Sequence, residues 1–114
     1  MRRVAILLTM FVLAACATVP SGIFAMVQLG CGKQTIIFSN PEKIDEKVII
    51  KATDSCRGTD SEIQLKNEDG EILKRYPVAD GTTQTIQVTV KGGQWLNFAC
   101  EGKGGSCSYS VSAD

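Results

Sequence analysis

The chain has 114 residues, with 12 basic and 12 acidic side chains, five cysteines and no histidine. Its length allows one small domain, and it has no basic block of the kind that nucleic acid binding needs. Without histidine it cannot form Ser-His-Asp or Cys-His catalytic arrangements or imidazole metal sites. We therefore expect a non-enzymatic protein with no cofactor and no nucleic acid partner.

The first element in chain order is a short apolar segment. Arg2 and Arg3 precede an uncharged run over residues 4–15. This run has the length of a secretory signal and is shorter than the roughly 20 residues of a membrane-spanning helix. It ends at residues 13–16, which read Leu-Ala-Ala-Cys. This tetrapeptide resembles the lipobox of bacterial lipoproteins. The resemblance implies cleavage before Cys16 and a diacylglycerol anchor on its thiol.

Two other interpretations of this segment stay open. Signal cleavage after Ala17 or Ala25 would give a soluble product. An uncleaved anchor would use the whole stretch between Arg3 and Lys33, which carries no charge. Each interpretation exports residues 33–114, because the N-terminal arginines stay on the cytoplasmic side. In a cell with two membranes, Ala17 after the modified cysteine favours the outer membrane, by resemblance to the usual sorting rule.

These boundaries give a signal peptide over residues 1–15, a lipidated N-terminus and tether over 16–32, and one domain over 33–114. Lipidation or removal of Cys16 leaves an even number of cysteines. In an oxidising compartment this predicts two disulfides, and three connectivities are formally possible. Zinc is disfavoured, because the chain has no histidine, the spacings lack paired Cys-x-x-Cys knuckles, and the compartment favours oxidation over thiolate ligation. The four cysteines are Cys31, Cys56, Cys100 and Cys107.

Within the domain, hydrophobic periodicity is close to two, which predicts an all-β structure. The first two predicted strands, residues 33–39 and 47–53, are joined by a loop that starts at Asn40-Pro41. We expect them to form an antiparallel hairpin in which Phe38 faces Ile49. That register places Cys31 opposite Cys56 and predicts a disulfide across the open end.

Five further strands are predicted after this hairpin. Asp69-Gly70 predicts a tight turn between the third and fourth, because Gly accepts the positive φ that such turns need. The last two strands are expected to pair, so that Cys100 and Cys107 form a disulfide that closes a glycine-rich loop. The five strands cover residues 62–67, 71–78, 85–90, 94–100 and 107–112.

Seven short strands predict a small antiparallel β-sandwich stapled by disulfides. Three sites carry a faint resemblance to small jelly-roll modules of secreted bacterial proteins: Asp69-Gly70, Gly93-Gln94-Trp95 and Tyr109-Ser110-Val111. The resemblance implies a sandwich and no particular function.

Candidate ligand contacts are few. Trp95 lies on the strand face opposite Leu96 and Phe98, so it is predicted to be partly exposed and available to a sugar ring. Glu101 and Lys103 lie in the loop closed by Cys100 and Cys107. Three acids near one another, Asp54, Asp60 and Glu62, match no calcium-loop pattern, so we expect no metal site.

The sequence thus predicts a membrane-anchored lipoprotein of the cell envelope that binds a protein partner. A carbohydrate-binding module, which would use Trp95, is one alternative. An inhibitor or immunity protein against an envelope-targeting enzyme, which would use Glu101 and Lys103 in a protruding loop, is another.

Overall fold

The computed structural model describes residues 26–114. The predicted signal peptide, Cys16 and the two alternative cleavage sites lie outside this range. No helix among the described residues is long and apolar enough to cross a membrane. Residues 26–114 form eight β-strands: β1 Val27–Gly30, β2 Gln34–Ser39, β3 Glu46–Asp54, β4 Ser61–Lys66, β5 Ile72–Val78, β6 Thr83–Val90, β7 Trp95–Ala99 and β8 Ser106–Ala113.

The strands form two four-stranded antiparallel sheets that pack face to face. One sheet has the order β1-β8-β3-β6 and the other has the order β2-β7-β4-β5. The first strand therefore pairs with the eighth, the second with the seventh, the third with the sixth and the fourth with the fifth. This is the arrangement of a long hairpin that has been rolled up, as in a jelly roll. The predicted all-β sandwich with two disulfides is confirmed.

Alternation of apolar and polar residues determines which side chains enter the space between the sheets. In β3, Val48, Ile50 and Ala52 are buried, and the residues between them face outward. Leu96 and Phe98 of β7 are completely buried, as their alternation predicts. Phe98 and Tyr109, which lie in opposite sheets, form an edge-to-face ring pair with centroids 5.9 Å apart. The core therefore joins the two sheets.

Two of the predicted strand pairings are wrong. β2 does not pair with β3, and Phe38 lies opposite Leu96 of β7. β3 instead lies between β6 and β8 in the other sheet. The last two strands, β7 and β8, also belong to different sheets. Both predictions assumed that strands close in the sequence pair with each other, whereas here most connections cross between the sheets.

The hairpin at Asp69-Gly70 is confirmed. β4 pairs with β5 in one sheet, and Gly70 has a φ of 87°. The Asn67 side-chain oxygen accepts hydrogen bonds from the backbone N–H groups of Asp69 and Glu71. Among the eight strands that the structure describes, this is the one connection between consecutive strands that stays within a sheet.

One strand was not predicted. β1 lies within the segment interpreted as a tether and pairs with β8 over four residue pairs, from Val27 opposite Tyr109 to Gly30 opposite Ser106. Two of its residues, Val27 and Gln28, are exposed. Such a short strand carries little periodic signal, so a sequence pattern cannot distinguish it from a linker.

Candidate functional site at the disulfide end

Both disulfides lie at one end of the sandwich. Cys31 is bonded to Cys56 and Cys100 is bonded to Cys107. The two bridges touch, because the Cys56 Sγ atom is 3.4 Å from the Cys100 Sγ and 3.9 Å from the Cys107 Sγ. We call this part of the molecule the disulfide end: the four cysteines together with loops 55–60 and 100–105.

Both pairings match the prediction, although the hairpins that motivated them are absent. β2 begins just after Cys31 and β3 ends just before Cys56, so both cysteines lie at the same end even though the strands are in opposite sheets. The same holds for β7 and β8 at Cys100 and Cys107. The Cys100–Cys107 bridge therefore joins the two sheets and does not close a hairpin.

A buried carboxylate organises the space beneath the loops. Asp54 is fully buried. Its side chain accepts hydrogen bonds from the Cys56 backbone N–H at 2.9 Å and from the Ser61 hydroxyl at 3.0 Å. The Ser61 oxygen in turn accepts the Glu101 backbone N–H at 2.9 Å. This chain of hydrogen bonds ties both loops of the disulfide end to the sheet edge, so Asp54 has a structural role.

The two loops of the disulfide end also pair with each other. The Arg57 N–H donates to the Lys103 carbonyl at 2.9 Å, and the Lys103 N–H donates to the Arg57 carbonyl at 3.1 Å. Glycine permits the approach: a Cβ on Gly102 would lie 2.6 Å from the Arg57 oxygen, and one on Gly105 would lie 2.4 Å from the Ser55 oxygen. The loops therefore behave as one unit with a fixed backbone.

The side chains of this unit point outward. Arg57, Glu101 and Lys103 are all exposed. The sequence predicted Glu101 and Lys103 as contacts in a loop that protrudes alone, whereas the structure places them in a loop that is paired with its neighbour. The sequence did not predict Arg57 as a contact, because only the backbone pairing of Arg57 with Lys103 brings these residues together. The disulfide end thus presents two cations and, with the exposed Asp60, two anions on rigid backbone.

The three acids considered for calcium have other contacts. Asp54 is held beneath the loops, as described above. An Asp60 carboxylate oxygen accepts the Asp80 backbone N–H at 2.8 Å. Glu62 lies on the outer face of its sheet and pairs with Arg75. The three carboxylates thus belong to different local networks.

Trp95 lies on the outer face of the β2-β7-β4-β5 sheet, at the end of β7 that is remote from the disulfide end. It is half-buried, and its indole N–H donates to the Asn67 carbonyl at 2.8 Å. The Lys66 ammonium lies 4.9 Å from the centre of its ring, a cation–π contact that covers one face. A sugar ring stacking on that face would have to displace Lys66.

Beside Trp95 runs a row of amides that the sequence pattern does not reveal. The Asn97 side-chain nitrogen donates to the Gln34 and Gln64 side-chain oxygens at 3.0 and 3.1 Å. Asn97 is only 4 % exposed although it faces away from the core, since its neighbours cover it. In the sequence, Asn97 is visible as a polar residue in the otherwise apolar stretch from Trp95 to Phe98. Its hydrogen-bond partners lie on two other strands, so the sequence does not indicate them.

Comparison with known proteins gives little. No protein-family model matches the chain, and no curated protein matches it. A chain from a structure of Bacillus endospore appendages, described as a novel family of disulfide-linked pili, is similar over 88 % of this chain and 98 % of that chain, with 11 % identity and a TM-score of 0.43. A likeness this weak supports no conclusion about the function of this protein.

Proposed function

We propose that this protein is an exported, non-enzymatic lipoprotein, anchored in the cell envelope through Cys16, that binds a protein partner through its disulfide end. The observation that carries this proposal is the pairing of the two loops at Arg57 and Lys103, next to the two touching disulfides. It favours a prearranged contact surface.

Rigidity is the physical reason. Ordering a loop or an interface side chain on binding costs about 0.5–1.5 kcal/mol for each side chain immobilised, in addition to any backbone ordering. At the disulfide end the backbone is already fixed by covalent bonds and reciprocal hydrogen bonds. Binding would therefore need to order only exposed side chains of these loops, among them Arg57, Glu101 and Lys103.

The anchor contributes through concentration. A lipid on Cys16 would confine the domain to a membrane surface, where even a modest affinity for a neighbouring protein gives high occupancy. The proposed place is the outer membrane in a cell that has two membranes. This part rests on residues 13–16 of the sequence and on Ala17.

The chemistry of the disulfide end agrees with binding better than with catalysis. The one buried carboxylate beneath its loops, Asp54 of β3, accepts two hydrogen bonds from the protein itself. The chain has no histidine to act as a base. What the surface offers a partner is shape and charge.

Site-specific photocrosslinking in intact cells tests the proposal. A photoreactive amino acid at position 101 or 103 should capture one discrete partner. The matched control is position 44 in the loop at the opposite end, where Ile44 is 66 % exposed and should give no such product. Equal capture at all three positions, or none at 101 and 103, would reject the disulfide end as the contact surface. Intact mass of the purified protein reports the lipid on Cys16 separately.

An inhibitor of an envelope-targeting enzyme would use the same surface. If the protein is such an inhibitor, it should bind a lytic enzyme, and Glu101→Lys or Lys103→Glu should abolish that binding. Binding that both substitutions leave unchanged would select a different class of partner.

Carbohydrate binding is a second candidate, favoured by the amide row of Gln34, Asn97 and Gln64 beside Trp95. Amides and an aromatic ring on one flat face are the groups that contact sugars. Trp95→Ala should then abolish retention on peptidoglycan or another polysaccharide while the circular dichroism spectrum stays unchanged. Lys66→Ala, which uncovers the ring, should strengthen retention. Failure of the wild-type protein to be retained would rule out this candidate.

A further inference from the structure

The sulfur atoms of four cysteines form one cluster at the disulfide end. The Sγ atoms of Cys31, Cys56 and Cys100 lie within 4.8 Å of one another. The Sγ of Cys107 is bonded to that of Cys100 and lies 3.9 Å from that of Cys56. Cys56, Cys100 and Cys107 are at most 1 % exposed. The four sulfurs therefore form one compact, largely buried cluster at this end of the sandwich.

Two of the distances between the bridges, both from the Cys56 sulfur, are close to those of a metal site. Zinc bound by four thiolates is tetrahedral with Zn–S bonds of about 2.3 Å, so its sulfurs are about 3.8 Å apart. The Cys56 Sγ is 3.4 Å from the Cys100 Sγ and 3.9 Å from the Cys107 Sγ, on either side of that value. Once the two S–S bonds are broken, side-chain rotation is enough to separate the bonded pairs to the same spacing.

We propose that the fully reduced protein binds one Zn²⁺ ion through Cys31, Cys56, Cys100 and Cys107. The disulfide end is then a redox-controlled metal site. Disulfides occupy it under oxidising conditions, and it becomes a four-thiolate centre when thiols are kept reduced. This inference does not depend on the proposed binding function.

The chemistry balances with a small-molecule thiol as reductant. Each disulfide takes up two electrons and two protons from two thiol molecules, which leave joined as one disulfide. Zn²⁺ then displaces the protons of the four cysteine thiols, which pass to solvent. Two molecules of a small-molecule disulfide reverse the process: they take up the four electrons, with four protons from solvent, to give four thiols, while the two protein disulfides form again and Zn²⁺ is released.

The protein can hold the ligands near one another without the disulfides. The Gly32 N–H donates to the Cys100 carbonyl at 2.8 Å, which fixes the turn after Cys31. The paired loops at Arg57 and Lys103 fix the chain next to Cys56 and within the Cys100–Cys107 loop. These are backbone contacts that reduction does not remove.

Asp54 is the competing ligand. One of its carboxylate oxygens is 3.8 Å from the Cys107 Sγ, and Asp54, Cys56 and Cys107 form a second convergent group. Its oxygens, however, already accept hydrogen bonds from Cys56 and Ser61. Zinc prefers thiolate to a carboxylate that would have to give up these partners, so the four cysteines are the ligand set.

The sequence argued against zinc because neighbouring cysteines are not in Cys-x-x-Cys pairs. Sequence separations are 25 between Cys31 and Cys56, 44 between Cys56 and Cys100, and 7 between Cys100 and Cys107. Only the rolled arrangement of the strands brings such distant positions together.

Cobalt titration tests the site directly. The full chain carrying Cys16→Ser, which retains the four clustered cysteines, is kept in non-ionic detergent and reduced with a water-soluble phosphine in the absence of oxygen. We expect one Co²⁺ per chain, with the intense visible bands of tetrahedral coordination and thiolate-to-cobalt charge transfer from four sulfurs. One equivalent of Zn²⁺ should displace the cobalt. The unreduced protein should give none of these bands.

Two controls separate a formed site from four loose thiols. Reduced protein in concentrated urea has the same cysteines without the fold, and its zinc affinity should be at least about tenfold lower. Cys31→Ser removes one ligand from the reduced protein and should also weaken binding by at least about tenfold. Asp54→Asn should leave the affinity and the spectrum unchanged.

A further measurement uses the Cys16→Ser chain without any other substitution, so it does not depend on whether the ligand variants fold. Bound zinc should protect all four thiols from an alkylating reagent, as counted by mass spectrometry, and the reduced protein with zinc should keep its β-sheet circular dichroism. Equal affinity in urea, protection of only two thiols, or loss of affinity in Asp54→Asn would overturn the four-thiolate site.

Discussion

Gly102 is the position where a single methyl group tests the paired loops of the disulfide end. It has a φ of 104°, and a Cβ there would lie 2.6 Å from the Arg57 carbonyl oxygen and 2.9 Å from the Cys56 Cβ. Gly104 is the matched control. It lies in the same loop with a φ of 69°, and no atom lies within 4 Å of its added Cβ.

The magnitudes follow from these two environments. Gly104→Ala meets only the left-handed backbone penalty, about 1–2 kcal/mol. Gly102→Ala meets a comparable backbone penalty, about 1–3 kcal/mol. It also meets a steric conflict with Arg57 and Cys56, about 1–3 kcal/mol more. If the loops separate to relieve that conflict, the two hydrogen bonds between Arg57 and Lys103 are lost, about 1 kcal/mol each. We expect Gly102→Ala to cost about 4 kcal/mol and Gly104→Ala about 1 kcal/mol.

Urea unfolding with both disulfides intact measures the difference, with Trp95 fluorescence as the probe. At an unchanged slope, the lower midpoint reports the lost stability. A loss of 3 kcal/mol corresponds to roughly 12–24 °C in melting temperature for a domain of this size. Equal destabilisation by the two substitutions would refute the close pairing of the loops. The same variants should differ in partner capture at position 103, with Gly102→Ala losing it and Gly104→Ala retaining it.

Three other predictions concern the hydrogen bonds and burial that hold the sandwich. The Asn40 side chain donates to the Ile44 and Val90 carbonyls at 2.7 and 2.8 Å at the opposite end, so Asn40→Ala should cost about 2–3 kcal/mol in urea unfolding; a loss below about 0.5 kcal/mol would contradict this role. Asp54→Ala leaves the Cys56 N–H and the Ser61 hydroxyl without their acceptor and should cost about 2–4 kcal/mol, with a smaller loss for Asp54→Asn, which keeps an acceptor oxygen. Burial raises the pKa of Tyr76 above its ordinary value. As pH rises, Tyr76 therefore ionises in the unfolded state before it ionises in the folded state. The stability that comes from keeping buried Tyr76 neutral is complete below pH about 10 and is lost as pH rises through the folded pKa. Wild-type protein should therefore lose more stability than Tyr76→Phe between pH about 9 and 11, and identical pH profiles would show that Tyr76 is not the cause.

The strands themselves were largely predictable. Alternating apolar residues in β3 and β6 determine which side chains face the core, because successive residues of a strand point to opposite sides. Leu96 and Phe98 were predicted as core and Trp95 as partly exposed, and the structure agrees. β1 was missed because it has only four residues.

The candidate site was predictable only in part. Glu101 and Lys103 were predicted as contacts because they lie in the loop between Cys100 and Cys107, and both are exposed. Arg57 could not be grouped with them, since 46 positions separate it from Lys103 and the contact is between backbone atoms. Backbone hydrogen bonds carry no side-chain signal, so a sequence pattern cannot indicate their partners.

By itself the sequence determined where β2 to β8 form, which of their faces are buried and the turn at Asp69-Gly70. The two expected disulfide pairings agree with the structure. Because successive strands run in opposite directions, all four cysteines reach the same end in whichever sheets their strands lie, and the strand pattern alone left three connectivities open. Only the tertiary structure decided that β2 pairs with β7 and β3 with β6 and β8. The physical reason is that alternation specifies a face but not a neighbour, and the neighbour is chosen by burying both apolar faces of the whole chain at once.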